Sequence, residues 1–286
     1  MKLKQRVVLG YFKLKLKLLE IIDIKLAAKE AFKLLCTPYT RKRVFALPPI
    51  FDQGHKITYN YQQHTISGYV WKPTKPNNHK ILICHGFDSA SYKFAHYIPP
   101  LLSFGFEVMA FDAPAHGLST GKTINVLQYS NFILEILNHF GPVSGIMAHS
   151  FGGTAAALAN EQLPQGTIKK LVLIAPATET TSSINDFCKV LDISKALQYQ
   201  LNHLVLSIAG KPISWYSVSR IVQAVTTPTL WLHDRNDKIT PYNDMAHLQQ
   251  LNLPHLQFGI TQGLGHSLYN DKQVAENITT FFREML

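Results

Sequence analysis

The fold is decided by the stretch Ser144-Gly145-Ile146-Met147-Ala148-His149-Ser150-Phe151-Gly152-Gly153-Thr154-Ala155-Ala156-Ala157. An apolar strand leads into Ser150, and a helix of small residues follows it. A sharp turn between strand and helix displays its middle residue above a sheet and requires small neighbours, because the backbones come close there. The usual pattern is GxSxG, and Ala148 replaces the first glycine with another small residue. The stretch predicts a nucleophile at Ser150; the alternative is an ordinary serine-containing turn.

On both sides of this stretch, from about residue 57, short apolar strands alternate with helical patterns. Such alternation predicts an α/β fold with a mostly parallel central sheet and helices on both faces. The predicted strands are a hairpin of Ile57–Tyr61 and Thr65–Trp71, then Ile81–Cys84, Val108–Phe111, Ser144–Met147, Leu171–Ile174, Thr229–Leu232 and Leu256–Ile260. The predicted helices are roughly 93–104, 123–139, 151–162, 242–250 and 271–285.

The spacing between two of these strands is unusually long. Nearly 55 residues separate Ile174 from Thr229, against 25–35 elsewhere, and the gap holds apolar helical stretches at 184–208 and 215–225. We therefore predict a small helical cap, at about 178–226, inserted between strands 6 and 7.

A serine nucleophile needs a base, and the base needs an orienting acid. Among thirteen histidines, His266 fits best, because it follows two loop glycines after the last predicted strand. Asp234 and Asp237 both follow the strand Thr229–Leu232, and loop placement favours Asp237 as the acid, with Asp234 forming a turn. These loops should converge with Ser150 at the carboxyl ends of the strands.

Acyl transfer also needs donors for a developing oxyanion. The backbone N–H of Phe151, directly after the nucleophile, is one candidate. The second is the N–H of Phe87, in the sequence His85-Gly86-Phe87 after a predicted strand; His85 itself is expected to be structural. The stretch Asp112–Ser119 is interpreted as a Pro/Gly turn in which polar side chains bind the backbone.

Together these motifs resemble the α/β-hydrolase superfamily, in particular its serine esterase and lipase-like members. In that family HG-[aromatic] supplies the oxyanion loop, D-x-P-x-HG-x-S follows the next strand, and G-x-S-x-G is the nucleophile elbow. Here the motifs stand at His85–Phe87, Asp112–Ser119 and Ala148–Gly152, while D-x-x-x-P and G-x-G-H match Asp237–Pro241 and Gly263–His266. The resemblance covers about residues 57–286 and implies a Ser150–His266–Asp237 triad.

The leading hypothesis is a serine hydrolase that cleaves a small-molecule carboxylic ester or thioester through an acyl-enzyme. Apolar residues of the predicted cap suggest an apolar acyl group, or else simply pack the cap; they are Phe187, Leu191, Leu197, Leu204, Leu206 and Trp215. Two alternatives remain open: an acyltransferase using the same triad, and a non-catalytic binding protein with a hydrolase fold.

The formal net charge of +10 is distributed very unevenly. Residues 1–43 contain twelve Lys and Arg against three acids, which leaves 44–286 nearly neutral. We therefore divide the chain into a basic amphipathic helical extension at 1–43, of one or two helices, and a hydrolase domain at 44–286. A stripe including Val7, Leu14 and Leu18 either lies on an anionic membrane or packs on the hydrolase body. Nucleic acid is not an expected partner, since the body is not basic.

Other chemistry finds no support in the sequence. It has no P-loop, HExxH, CxxC or dinucleotide GxGxxG, so no cofactor or metal is expected. Cys36, Cys84 and Cys188 are interpreted as small apolar residues of a reducing compartment. No run of 18 apolar residues exists, and lysines interrupt any signal-peptide pattern near the N-terminus. A cytoplasmic protein is expected, with or without peripheral attachment to a membrane.

Overall fold

A computed structural model describes residues 3–39 and 46–286, and within them the side chains from residue 6 onward. The expected domain boundary between 43 and 44 and the basic residues Lys2, Arg41, Lys42 and Arg43 lie outside the described residues. The described residues form two compact units. The first takes its residues from Met1–Thr37 and Glu179–Ser217, and the second from Pro38–Thr178 and Val218–Leu286.

The second unit is built on an eight-stranded sheet. Its strands are β1 (His55–Tyr61), β2 (His64–Trp71), β3 (Lys80–Cys84), β4 (Glu107–Phe111), β5 (Gly145–His149), β6 (Lys170–Ile174), β7 (Thr229–Asp234) and β8 (Leu256–Thr261). They lie in the order β1-β2-β4-β3-β5-β6-β7-β8. Pairing is antiparallel between β1 and β2 and between β2 and β4, and parallel elsewhere. Six consecutive parallel strands therefore have their carboxyl ends at the same edge.

Helices of this unit cover both faces of the sheet, as predicted. They are α3 (Ile98–Ser103), α4 (Val126–Phe140), α5 (Phe151–Glu161), α8 (Val218–Ala224), α9 (Asn243–Ala246) and α10 (Lys272–Arg283). Ile81 and Met147 belong to the same buried cluster as residues of α3 and α10. Leu82 and Ile146, their neighbours in sequence, are equally buried and point the opposite way, because side chains alternate along a strand. On that opposite face α5 contacts β3 and β5.

The first unit joins the N-terminal helices to the inserted segment. It contains α1 (Leu3–Ile22), α2 (Ile24–Leu35), α6 (Thr180–Leu191) and α7 (Lys195–Ala209). Asp23 caps α2, since its carboxylate accepts from the N–H groups of Lys25 and Leu26 at 2.8 and 3.3 Å. The observed division differs from the expected one, because α8 lies in the second unit and the N-terminal helices belong with the inserted helices.

Apolar side chains from all four helices form the core of this unit. The buried members include Leu16 of α1, Ala27 and Ala31 of α2, Leu191 of α6 and Leu197 of α7. The alanines leave room for the neighbouring helices to approach closely. Polar contacts join the same elements at the surface, where Lys17 pairs with Asp192 at 2.7 Å and the Ser194 hydroxyl donates to Glu20.

The apolar stripe predicted for α1, with membrane contact and packing on the hydrolase body as its two alternatives, is not the face that packs within the first unit. Val7, Leu14 and Leu18 are exposed, and the helix packs instead through Leu9, Phe12, Leu16 and Leu19. Both sets follow helical spacing, so α1 is apolar on two faces. The sequence did not distinguish the two faces, because periodicity identifies an apolar face without identifying which face its neighbours contact. None of the described helices is long and apolar enough to cross a bilayer.

Candidate active site

Ser150 lies at the turn between β5 and α5 in a backbone conformation that non-glycine residues rarely adopt. Its φ is 54° and its ψ is −125°. Two backbone hydrogen bonds hold this turn: Ser150 N–H donates to Ile174 O at 2.9 Å, and Gly153 N–H donates to Ser150 O at 2.8 Å. Such strain costs on the order of 1–3 kcal/mol and typically occurs at functional sites. The result is a serine hydroxyl fixed at the carboxyl end of the central strand.

Glycine at 152 allows this turn to approach the neighbouring strand. A Cβ added at Gly152 would lie 2.3 Å from the carbonyl oxygen of His85, too close for any side chain. Gly86 is similarly tight, because a Cβ there would lie 3.0 Å from Cβ of Ser150. The His85–Phe87 loop therefore passes directly beside Ser150.

His266 lies between Ser150 and Asp237. Its Nε2 is 2.9 Å from Oγ of Ser150, and its Nδ1 is 2.8 Å from Oδ2 of Asp237. With Nδ1–H donating to the carboxylate, Nε2 is left as the acceptor that faces the serine hydroxyl. The structure thus brings together the three residues expected to form the triad, from loops that follow β5, β7 and β8.

Asp237 is held as a carboxylate. Its Oδ1 accepts from the N–H groups of Ile239 and Thr240 at 2.8 and 3.1 Å, and its Oδ2 also accepts from the Thr240 hydroxyl at 2.8 Å. Burial alone would raise the pKa of Asp237, but the hydrogen bond and charge of His266, together with these N–H donors, lower it to about 2. An ionised acid in this position fixes the His266 tautomer and can stabilise an imidazolium.

Asp234, the other candidate acid, organises the loop that carries His266. Its carboxylate accepts from the Thr261 hydroxyl at 2.7 Å and from the N–H groups of Asn236 and Leu264, both at 2.9 Å. Burial opposes ionisation, but these donors lower the pKa of Asp234. Its contacts are those of a turn former rather than of a partner of His266.

Two backbone N–H groups beside Ser150 are available to a ligand. Phe151 begins α5, where N–H groups have no partner within the helix. Among the described residues, neither Phe151 N–H nor Phe87 N–H donates to an acceptor in the protein. The two phenyl rings contact each other edge to face at 5.2 Å between centroids. Donors in this position can bind a developing oxyanion.

Buried polar side chains near Ser150 form hydrogen bonds with backbone groups of the surrounding loops. Nε2 of His85 accepts from Ala113 N–H at 2.9 Å, while its Nδ1 contacts Gly86 O at 2.8 Å. Burial lowers the pKa of His85 to about 4, so the ring is neutral. In the Asp112–Ser119 turn, Asp112 accepts from the N–H groups of Ser91 and Leu118 at 2.8 and 2.9 Å. These residues shape the loops around Ser150, in line with the structural roles expected for them.

Two neighbours of the triad were not predicted from the sequence pattern. The Thr240 hydroxyl lies 3.2 Å from Nδ1 of His266 and 2.8 Å from Asp237, so it touches both residues. Nε2 of His149 lies 3.0 Å from the carbonyl oxygen of His266, and the centroids of the two imidazole rings are 4.7 Å apart. Burial and the nearby His266 lower the pKa of His149 to about 3, so it stays neutral.

Metal ligation is not suggested by the arrangement of side chains. Within residues 3–39 and 46–286, no group of three or more His, Cys, Asp or Glu is arranged to hold a metal ion. The three cysteines are buried and free, and burial raises the pKa of Cys36 to about 12, which makes it unreactive as a nucleophile.

The sheet order, the strained Ser150 turn and the loops that meet at its end define an α/β-hydrolase. More narrowly, the chain belongs to the serine aminopeptidase S33 family, whose model matches residues 75–220, slightly more than half of the chain. That match includes Ser150 and Phe87 but ends before Asp237 and His266.

Individual relatives agree with this classification. A monoglyceride lipase homolog from monkeypox virus is 21% identical over 264 residues, which cover 78% of this chain and 96% of the relative. Human monoglyceride lipase is 28% identical over 144 residues, 48% of this chain and only 47% of the human protein. Among solved structures, a Pyrococcus furiosus esterase shares the fold with a TM-score of 0.62 at 18% identity, covering 85% of this chain and 98% of that one.

Proposed function

We propose that the protein is a serine hydrolase that cleaves carboxylic esters or thioesters through an acyl-Ser150 intermediate. The observation that carries the proposal is the position of His266, 2.9 Å from Ser150 Oγ and 2.8 Å from Asp237 Oδ2. The names of two relatives, a human monoglyceride lipase and a viral monoglyceride lipase homolog, support the choice of an ester over an amide substrate.

In the proposed reaction His266 Nε2 takes the proton of Ser150 as its Oγ attacks the acyl carbon. The N–H groups of Phe87 and Phe151 stabilise the oxyanion of the tetrahedral intermediate. His266 then returns the proton to the leaving alcohol or thiol, and the acyl group remains on Ser150. Water enters, gives a proton to His266 and attacks the acyl-enzyme. As the second tetrahedral intermediate collapses, His266 returns that proton to Ser150 Oγ, which releases the carboxylic acid and regenerates the serine. Asp237 holds the imidazole and stabilises its charged form in both steps.

We propose that the acyl group of the substrate is apolar. The support comes from residues beside the triad rather than from the apolar residues of the predicted cap. Leu191 and Leu197 are buried in the core of the first unit, and Phe187 and Leu204 pack against it, so those four side chains stabilise that unit. The better support comes from beside the triad, where the half-buried rings of Phe87 and Phe151 accompany the two oxyanion donors. An acyl chain leaving the reaction centre next to these rings would lie against aromatic carbon.

Labelling with a fluorophosphonate tests the nucleophile. The wild type and the exposed-serine control Ser103→Ala should be labelled, and Ser150→Ala should not. A folded wild-type protein that resists labelling contradicts the proposal. A panel of p-nitrophenyl esters and p-nitroanilides then separates esterase from peptidase activity, and product analysis with added alcohols separates hydrolysis from acyl transfer. Catalytic turnover in any arm excludes a purely binding protein.

Phe151→Ala tests the acyl preference separately, because it removes the ring and keeps the backbone N–H. We expect KM to rise roughly tenfold for medium-chain esters and to change little for acetate, since only the longer chain loses apolar contact. An equal effect on all chain lengths would contradict an acyl site beside Phe151.

A further inference from the structure

We propose that α1 docks the protein on an anionic lipid surface. The docking face, called here the outer face of α1, consists of Val7, Tyr11, Leu14, Leu18, Ile21 and Ile22. Ile21 is 83% exposed, Val7 65% and Tyr11 60%, and the other three are also exposed by more than half. The spacing of these residues places them along one side of the helix.

The outer face of α1 takes no part in the packing of this helix within the first unit. Leu9, Phe12, Leu16 and Leu19 occupy the opposite side and contact the core of the first unit. Folding therefore needs only one of the two apolar sides of α1. A contiguous row of large apolar side chains, unlike single exposed ones, marks an interaction surface.

Exposed apolar residues are also concentrated in this unit. Of the nineteen large hydrophobic side chains exposed among the described residues, thirteen belong to the first unit and seven to α1 itself. The first unit comprises about a quarter of the chain, so these residues are not a uniform scatter over the surface.

Charge selects anionic lipid as the partner. Arg6 directly precedes Val7, Lys13 precedes Leu14 and Lys17 precedes Leu18, so a row of basic side chains runs beside the apolar row. Of these three, Lys17 also pairs with Asp192 at 2.7 Å. Glu20, the acid in α1, accepts a hydrogen bond from Ser194, and Arg6 and Lys13 leave this edge of the helix basic. A helix that combines an apolar row with flanking lysines lies in the headgroup region of an anionic bilayer.

The same charges disfavour a second copy of the chain as the partner. Two outer faces placed against each other in a symmetric dimer would bring like-charged rows close together, and like charges across an interface are unfavourable. A lipid surface that carries phosphate instead offers the opposite charge.

Co-sedimentation of the full chain with phosphatidylcholine vesicles, with and without phosphatidylglycerol, tests the proposal. We expect the wild type to sediment with the anionic vesicles and less so at high salt. The double variant Leu14→Gln/Leu18→Gln should bind at least about tenfold more weakly, because two apolar contacts are lost while charge and helix propensity are kept. The matched control Leu251→Gln/Leu286→Gln removes two exposed leucines of the second unit and should bind like the wild type.

Equal sedimentation of the wild type and Leu14→Gln/Leu18→Gln would overturn the proposal. It would also be overturned if the wild type did not bind vesicles and formed a dimer, while the double variant remained a monomer. Circular dichroism and thermal unfolding confirm that both double variants are folded. Because the readout is sedimentation, its outcome is independent of whether Ser150 is a nucleophile.

Discussion

The Oδ2 atom of Asp237 lies 2.8 Å from Nδ1 of His266, whereas Asp234, three residues earlier, binds the loop that carries His266. The two carboxylates follow the same strand and differ in what they contact. This difference allows their contributions to be separated by substitution.

Asp237→Asn should lower kcat for a p-nitrophenyl ester by about 10³–10⁴-fold, because the amide cannot hold the Nδ1–H tautomer of His266. Asp234→Asn should lower the free energy of unfolding by about 1–3 kcal/mol, since it removes acceptors from buried donors. Steady-state kinetics and urea unfolding of both variants check this. An activity loss in Asp234→Asn as large as in Asp237→Asn would contradict the assignment.

The ionisation of Asp237 should also make the free energy of unfolding depend on pH. Its pKa is about 2 in the folded protein and near 3.8 in the unfolded chain, so it contributes on the order of 2 kcal/mol above pH 4. That contribution is lost as the pH falls through the folded pKa. The difference in unfolding free energy between the wild type and Asp237→Asn should therefore shrink between pH 5 and pH 2. A constant difference over this range would contradict an ionised, stabilising Asp237.

His149 should destabilise the protein as the pH falls below neutrality. Its pKa is about 3 when folded against 6.5 for the exposed side chain, so unfolding at pH 5 takes up a proton there. His149→Gln should reduce the slope of unfolding free energy with pH by about 1.4 kcal/mol per pH unit near pH 5. At pH 8 the ring is neutral in both states, and the comparison there reports packing alone. If the unfolding free energies of the wild type and His149→Gln changed with pH in parallel, a buried neutral His149 ring would be refuted.

Backbone strain at Ser150 predicts a difference between two inactive variants. Ser150→Gly relieves a φ of 54°, while Ser150→Ala retains it. Relief of the strain should stabilise the glycine variant by about 1–3 kcal/mol, and the greater conformational entropy of glycine in the unfolded chain should offset part of this. The glycine variant should therefore be more stable than the alanine variant by about 1 kcal/mol. Thermal unfolding measures the difference. Greater stability of the alanine variant would mean that the turn is not strained.

Glycines in the two units should respond oppositely to alanine. Gly152→Ala should destabilise the protein by about 1–3 kcal/mol, because its Cβ would meet the His85 carbonyl. Gly10→Ala should stabilise it by roughly 0.5–1 kcal/mol, since the position is helical and nothing lies within 4 Å of the new methyl. Urea unfolding of both variants tests the pair, and a neutral Gly152→Ala would contradict the close approach beside Ser150.

The sequence predicted the sheet and the meeting of Ser150, His266 and Asp237 because each depends on local patterns: an apolar strand, a small-residue turn and a loop at the end of a strand. It did not reveal that Leu16 packs while Leu14 is exposed, because both fit a helical period and only the position of α2 distinguishes them. The contacts of Thr240 and His149 with His266 were also missed, since they depend on how distant loops approach each other.

The proposed reaction requires that Ser150 carry the acyl group during turnover. Mass spectrometry of the wild-type protein, acid-quenched during hydrolysis of excess medium-chain p-nitrophenyl ester, tests it most directly. We predict one acyl group on the peptide that contains Ser150, and neither adduct nor turnover in Ser150→Ala. Turnover that persists in Ser150→Ala, or an acyl group found on another residue, would contradict the account.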